Sequence, residues 1–68
     1  MRFDQKFYQI IDATLKVQEI LKDSEKTKVW MTTDNLNLGG TSPLKLIYMG
    51  RGHKLLQFIE AAQEGNIP

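Results

Sequence analysis

The stretch from Trp30 to Pro43, WMTTDNLNLGGTSP, restricts the fold more than any other part of the chain. Trp30 and Met31 read as the end of a helix, and a polar loop follows them. Gly39-Gly40 then marks a turn, because two adjacent glycines signal backbone that needs positive φ or a close approach to another surface. A helix restarts directly afterwards. Thr41 and Ser42 supply a hydroxyl that can accept from a free N–H of the new helix. Pro43 falls in its first turn, where the missing N–H costs nothing. Trp30 and Leu38 bracket the loop and are expected to pin it to the core, so the loop is expected to be ordered.

Helical periodicity fills the chain on both sides of that loop. Phe3, Phe7, Ile10, Thr14, Val17 and Leu21 alternate spacings of four and three, the signature of one helical face, over about Asp4 to Lys22. Ile11 and Leu15 widen the face, and Lys6, Gln9, Asp12, Lys16 and Glu19 form the opposite one. Lys22-Asp23-Ser24 breaks the pattern, with Asp23 or Ser24 able to cap a second helix over about Ser24 to Thr32. Thr27, Trp30 and Met31 are predicted to face inward there. A third helix, about Pro43 to Met49, offers Leu44, Ile47 and Tyr48 for burial. Gly50-Arg51-Gly52 ends it with glycine at the left-handed position of a helix terminus. The last helix, about Gly52 to Glu64, buries Leu55, Leu56, Ile59 and Ala62 with Phe58 beside them, and Gly65 closes it. No segment alternates with period two over a useful length. The expected architecture is all-α, a single compact domain of about four helices.

Length and composition then remove whole classes of function. Sixty-eight residues form one small domain, and a chain near that size buries only about 60% of its unfolded surface. With 41% hydrophobic and 25% charged residues, the composition is that of an ordinary globular protein. Zero cysteines exclude a disulfide framework and a thiolate metal site. A net charge of +1, with Lys and Arg reading as scattered among Asp and Glu, makes no case for nucleic acid or an anionic membrane. The polar N-terminus lacks the apolar core of a signal peptide, and the longest apolar run, Leu46 to Met49, is far short of a membrane span. A soluble cytoplasmic protein is expected.

Catalytic templates fail on inventory. His53 is the single histidine, so a multi-histidine metal site is impossible and a Ser-His-Asp triad would have to use it. Beside Arg51 and Lys54 it reads as a surface residue. The eight acids lie beside lysines on helix faces, the pattern of solvated surface. Gly39-Gly40-Thr41-Ser42 before a helix lacks the Lys-Ser/Thr ending of a phosphate-cradling loop and any preceding strand, so it reads as turn and cap. Trp30 reads as core. The first helix carries three aromatics, Phe3, Phe7 and Tyr8, and a four-helix domain covers only part of such a face. The remainder is expected to meet another chain, including a second copy of this one. No cofactor, metal or enzymatic activity is expected; a small helical binding module is.

Taken together, Trp30-Met31, Asn35, Leu38-Gly39-Gly40, Pro43-Leu44, Leu46-Ile47, Gly52, Leu55, Ile59 and Gly65 resemble the toxin-binding domain of Xre/MbcA/ParS-type antitoxins. That pattern closes one helix with a tryptophan-leucine pair, then has an asparagine, a leucine-glycine-glycine turn and a proline-leucine helix start. A glycine precedes its apolar last helix, and another glycine ends it. The likeness spans residues 24–68, and residues 1–23 fit only in being amphipathic. Thr27 stands where the family usually has alanine and Met31 where it usually has leucine, the second easily accommodated because methionine adapts to irregular gaps.

The resemblance implies a bacterial type II antitoxin module that neutralises a cognate protein toxin. In the family that toxin is often of the RES type, which consumes NAD, and inhibition is by occluding the cleft through which NAD enters. Contacts implied by position are Asp34, Asn35, Leu36, Asn37, Gly39 and Gly40 in the loop, and Gly65, Asn66, Ile67 and Pro68 at the C-terminus. Arg51, His53 and Lys54 join them as exposed side chains near the last two helices. Trp30, Leu38, Pro43, Leu55 and Ile59 are assigned to holding the fold. Family members usually carry an upstream helical region for DNA binding or dimerisation, so this chain is expected to be either a fragment or a stand-alone module that does not bind an operator alone.

Two other classes compete. A helix-turn-helix-like DNA-binding protein is disfavoured because the loop from Trp30 to Pro43 exceeds that motif's usual turn of about three or four residues. The last helix also offers only Arg51, His53, Lys54 and Gln57 to DNA. A helical oligomerisation or scaffold module is the other.

Overall fold

The structure is a computed structural model that describes residues 4–65. The expectations for Phe3, Asn66, Ile67 and Pro68 lie outside the described residues. Four helices follow one another as α1 (Gln5–Leu21), α2 (Ser24–Thr32), α3 (Pro43–Tyr48) and α4 (Gly52–Gln63). A single 3₁₀ turn, Leu36–Leu38, lies within the loop between α2 and α3 and was not anticipated from the sequence. The all-α fold is therefore as expected. Among the described residues the sole extended pairing is an isolated antiparallel bridge between Asn35 and Thr41. No helix of those residues is long and apolar enough to cross a membrane.

Side-chain caps set the starts of α1, α2 and α3. Asp4 accepts from the Lys6 N–H at 2.9 Å and Asp23 from the Lys26 N–H at 3.0 Å, so Asp23, not Ser24, caps α2. Ser42 accepts from the Lys45 N–H at 3.2 Å with Pro43 in the first turn behind it. Between α1 and α2 the chain reverses at Lys22, a non-glycine residue at φ 54° whose N–H bonds the Gln18 carbonyl at 2.7 Å.

This tight reversal makes α1 and α2 an antiparallel pair, tied across the turn by Thr27 and Gln18. The Thr27 hydroxyl is buried and shares its one proton between the Asp23 carbonyl at 2.8 Å and Gln18 Oε1 at 2.9 Å. Replacing Thr27 with valine keeps the volume and removes the hydroxyl, leaving the Gln18 amide without this partner. The expected cost is about 1–2 kcal/mol, which lowers the melting temperature by roughly 4–8 °C per kcal/mol in a domain of this size. A thermal melt unchanged from wild type would show that the pair contributes nothing.

Helices α1 and α4 run parallel. Gln9 lies against Gly52 and Lys16 bonds Glu60, offsets of 43 and 44 residues (52 − 9 and 60 − 16) that hold their register over two turns. Lys16 Nζ sits 3.2 Å from both Glu60 and Asp12, and these carboxylates, Glu60 foremost, hold its ammonium protonated above its ordinary range. Such surface pairs stabilise little, about 0.2–1 kcal/mol.

The core is Ala13, Val17, Met31, Leu46, Ile47, Leu55 and Ile59, with Ile10, Trp30, Leu38 and Leu56 packed against it. Trp30 stacks on Phe58 with ring centroids 6.5 Å apart and planes at 12°, within the range of offset stacking. Three expectations are corrected. The apolar face of α1 splits: Ile10, Ala13 and Val17 turn inward, whereas Phe7, Ile11, Leu15 and Leu21 are exposed, as is Tyr8. Helices α2 and α4 cover the arc centred on Ala13 and Val17, and no described element covers the next one. In α3, Tyr48 is exposed and Leu46 takes the inward place, because the buried row is Pro43, Leu46 and Ile47 at spacings of three and four. In α4, Leu56 and Ala62 are only half-buried, flanking the fully covered Leu55 and Ile59.

Candidate functional site

Asn35 organises the loop between α2 and α3. Its carbonyl accepts from the Leu38 and Gly40 N–H groups, both at 3.0 Å, and its own N–H donates to the Thr41 carbonyl at 3.1 Å. Its side-chain oxygen accepts from the Asn37 N–H at 2.9 Å. Gly39 and Gly40 follow at φ 77° and 79°, a left-handed pair that returns the chain to Thr41. Ser42 makes the helix cap that the Thr41/Ser42 pair was expected to supply; the Thr41 hydroxyl is buried without a hydrogen-bond partner.

The turn between α3 and α4 is equally determined. Gly50, at φ 80°, bonds its N–H to the Ile47 carbonyl at 3.0 Å, and the Arg51 N–H reaches the Leu46 carbonyl at 2.9 Å. This paired closure of the last carbonyls is a Schellman ending. It leaves Arg51 as the residue before α4, with no side-chain cap bond there.

These two turns face each other across an open cleft of about 570 Å³. Leu38, Leu46 and Phe58 supply its apolar lining. Asn37, Gly39, Arg51, Lys54 and Gln57 supply its polar edge. Of the residues singled out in the sequence, the cleft brings together Asn37, Gly39, Arg51 and Lys54. His53 and Gly40 are exposed but do not line it, and Asp34 is exposed in the loop ahead of it. Leu36 is 92% exposed, the most exposed large apolar side chain among the described residues. Asn35 is half-buried with its side-chain oxygen occupied within the loop. Gly65 lies past the opposite end of α4, about 18 Å along the axis of a 12-residue helix from Arg51. Among the residues assigned to the fold, Pro43, Leu55 and Ile59 are buried and Trp30 and Leu38 half-buried.

The charge distribution corrects the reading of evenly scattered charge. No Asp or Glu lies between Asp34 and Glu60, whereas Lys45, Arg51 and Lys54 do. Residues 35–59 therefore carry +3, and the rest of the chain carries six basic residues (9 − 3) against all eight acids, or −2. Within that acid-free segment, Arg51 and Lys54 form no ion pair among the described residues, where both ion pairs belong to Lys16. Leu38, Leu46 and Phe58 also line the cleft but read from the sequence only as fold residues, and Gln57 was named only as a side chain offered to DNA. The signal that could have found the cleft was the gap in acidic residues, visible only when charge is counted by segment.

A second recess, of about 180 Å³, lies beneath Trp30 and Phe58 and is lined by aliphatic and aromatic side chains, so it offers no reactive group. Among the described residues no three His, Asp or Glu side chains converge as metal ligands would. Neither the family models, nor the curated proteins, nor the solved structures contain a match to this chain.

Proposed function

We propose that the chain is a protein-binding module that neutralises an enzyme partner by covering its active site, the antitoxin of a bacterial type II toxin–antitoxin pair. The proposed partner is a RES-type, NAD-consuming toxin. The observation that carries this reading is the face formed by the Asn35-braced loop with Arg51 and Lys54. It is open, hydrogen-bonded within the loop and mixed in polarity, as a surface used for recognition is. Inhibition by occlusion asks only that a shaped surface fill the partner's cleft, so no acid, base or nucleophile is needed on this side. The residues quoted for the family resemblance support the reading, since Leu38 and Gly39 of its leucine-glycine-glycine turn lie on this same face. Co-expression with the product of the adjacent gene tests it. Growth rescue with a stoichiometric complex on a sizing column is expected; a harmless neighbour, or a toxic one that elutes separately, would sink the proposal.

One observation favours a second reading, self-association through α1. Phe7, Tyr8 and Leu15 each keep more than half of their surface exposed, and Ile11 lies between them. Contiguous apolar surface of this kind marks interaction sites more often than it does idle surface. If two copies bury it, sedimentation velocity shows a dimer that Leu15→Glu converts to monomer with little change in the melt. A wild-type chain that stays monomeric as concentration rises removes this reading.

A further inference from the structure

We infer that the cleft between the Leu38–Gly39 turn and the start of α4 receives an acidic side chain flanked by an apolar one, from a segment of the partner protein. The inference rests on the protein-binding reading and adds the chemistry that the partner must present. Three observations lead to it. Arg51 and Lys54 stand on one edge of the cleft with no ion pair among the described residues. The surrounding residues, 35–59, contain no acid, so nothing nearby in sequence competes for these cations. Leu38, Leu46 and Phe58 line the same cleft and can cover an apolar neighbour of the incoming carboxylate.

The groups are matched to that ligand. Lys54 and Gln57 lie three apart on α4 and so share a face, while Arg51 reaches the cleft from the turn before it. A carboxylate here would take charge-assisted bonds from the guanidinium and ammonium groups, and the Asn37 and Gln57 amides could serve the adjoining peptide groups. The apolar lining makes the site more than a charged spot, because it rewards a side chain that a free anion lacks.

A nucleic-acid backbone fits less well. A protein bound to duplex DNA neutralises many phosphates, on the order of 6–10, and the acid-free segment offers Lys45, Arg51 and Lys54, beside a remainder of opposite sign. A phosphate backbone also makes no use of Leu38, Leu46 and Phe58.

The test is amide NMR on the full chain, titrated with the blocked peptide Leu-Asp-Glu-Leu and with its uncharged counterpart Leu-Asn-Gln-Leu. The acidic peptide is expected to move the amides of Asn37, Gly39, Lys54 and Gln57 saturably, and to weaken as salt is raised. Its uncharged counterpart should bind at least about tenfold more weakly, the scale of a lost charge-assisted contact. Arg51→Glu and Lys54→Glu should each lose at least about tenfold while melting as wild type does, since both side chains are exposed. Lys22→Glu, at the far end of α1, should bind as wild type. The inference is overturned if these amides do not move, if both peptides move them equally, or if short duplex DNA moves them more strongly than the acidic peptide. It is also overturned if dilution alone moves them, which would mean that copies of the chain dock there. Co-purification of the neighbouring gene product by the wild-type chain is scored separately. A retained complex with no peptide response defeats the cleft inference alone, and a peptide response without a complex defeats the antitoxin reading alone.

Discussion

Replacing Leu55 by alanine is expected to leave much of the chain unfolded at physiological temperature. Leu55 has no exposed surface and lies in the buried row of α4 with Ile59, against Ala13, Val17 and Ile47 in the same core cluster. Truncating a buried leucine to alanine costs about 2–5 kcal/mol, the upper end where neighbours cannot collapse into the space. The whole stability of a 68-residue domain, at roughly 0.05–0.15 kcal/mol per residue, is about 3–10 kcal/mol. One truncation therefore removes a large part of it. Circular dichroism with urea titration measures the loss. Leu15→Ala is the control, because Leu15 is mostly exposed on α1 and its truncation should lie within about 0.5 kcal/mol of wild type. Equal midpoints for the two variants would contradict the burial of α4 described above, and binding by Leu55→Ala should fall only in proportion to its folded fraction.

The helices were legible in the sequence because their signals are local. Asp23, Ser42-Pro43, Gly50 and Gly65 each act within one or two residues of a helix end, so caps and breaks read directly as boundaries. The core of α1 was legible only in part. Spacing identifies which residues share a face, but Phe7, Ile11 and Leu15 compete with Ile10, Ala13 and Val17 for a limited amount of covering surface. Which arc wins depends on where α2 and α4 pack, a tertiary fact that no spacing contains. Tyr48 failed for the same reason in α3. The candidate site was half legible. Asn37, Gly39, Arg51 and Lys54 were named from the sequence, yet their meeting in one cleft depends on the Schellman turn at Gly50, which brings the start of α4 against the loop and Leu46 of α3. Asn35 has a role that the sequence does not reveal: its backbone groups and side-chain oxygen brace the loop.

Gly40→Val should separate loop geometry from loop surface. A Cβ at Gly40 would meet nothing within 4 Å, so valine causes no clash in the native arrangement. The cost is in the backbone. Gly40 stands at φ 79°, where an L-residue pays about 1–2 kcal/mol and a β-branched one fares worst. Its N–H is also one of the bonds to the Asn35 carbonyl, so relaxing φ pulls against the hub that holds Leu38 and Thr41. Strain at such a position runs to about 1–3 kcal/mol, and the melting temperature should fall by roughly 4–8 °C for each kcal/mol. Asparagine visits the left-handed region more readily than valine does, so Gly40→Asn should retain most of the stability. The order of melting temperatures expected is glycine, asparagine, valine. Partner binding should follow the same order, because Asn37 and Gly39 reach the cleft only while the turn keeps its shape. A valine variant with wild-type melting and binding would show that the double-glycine turn does not constrain the loop, and the ordered face proposed for recognition would go with it.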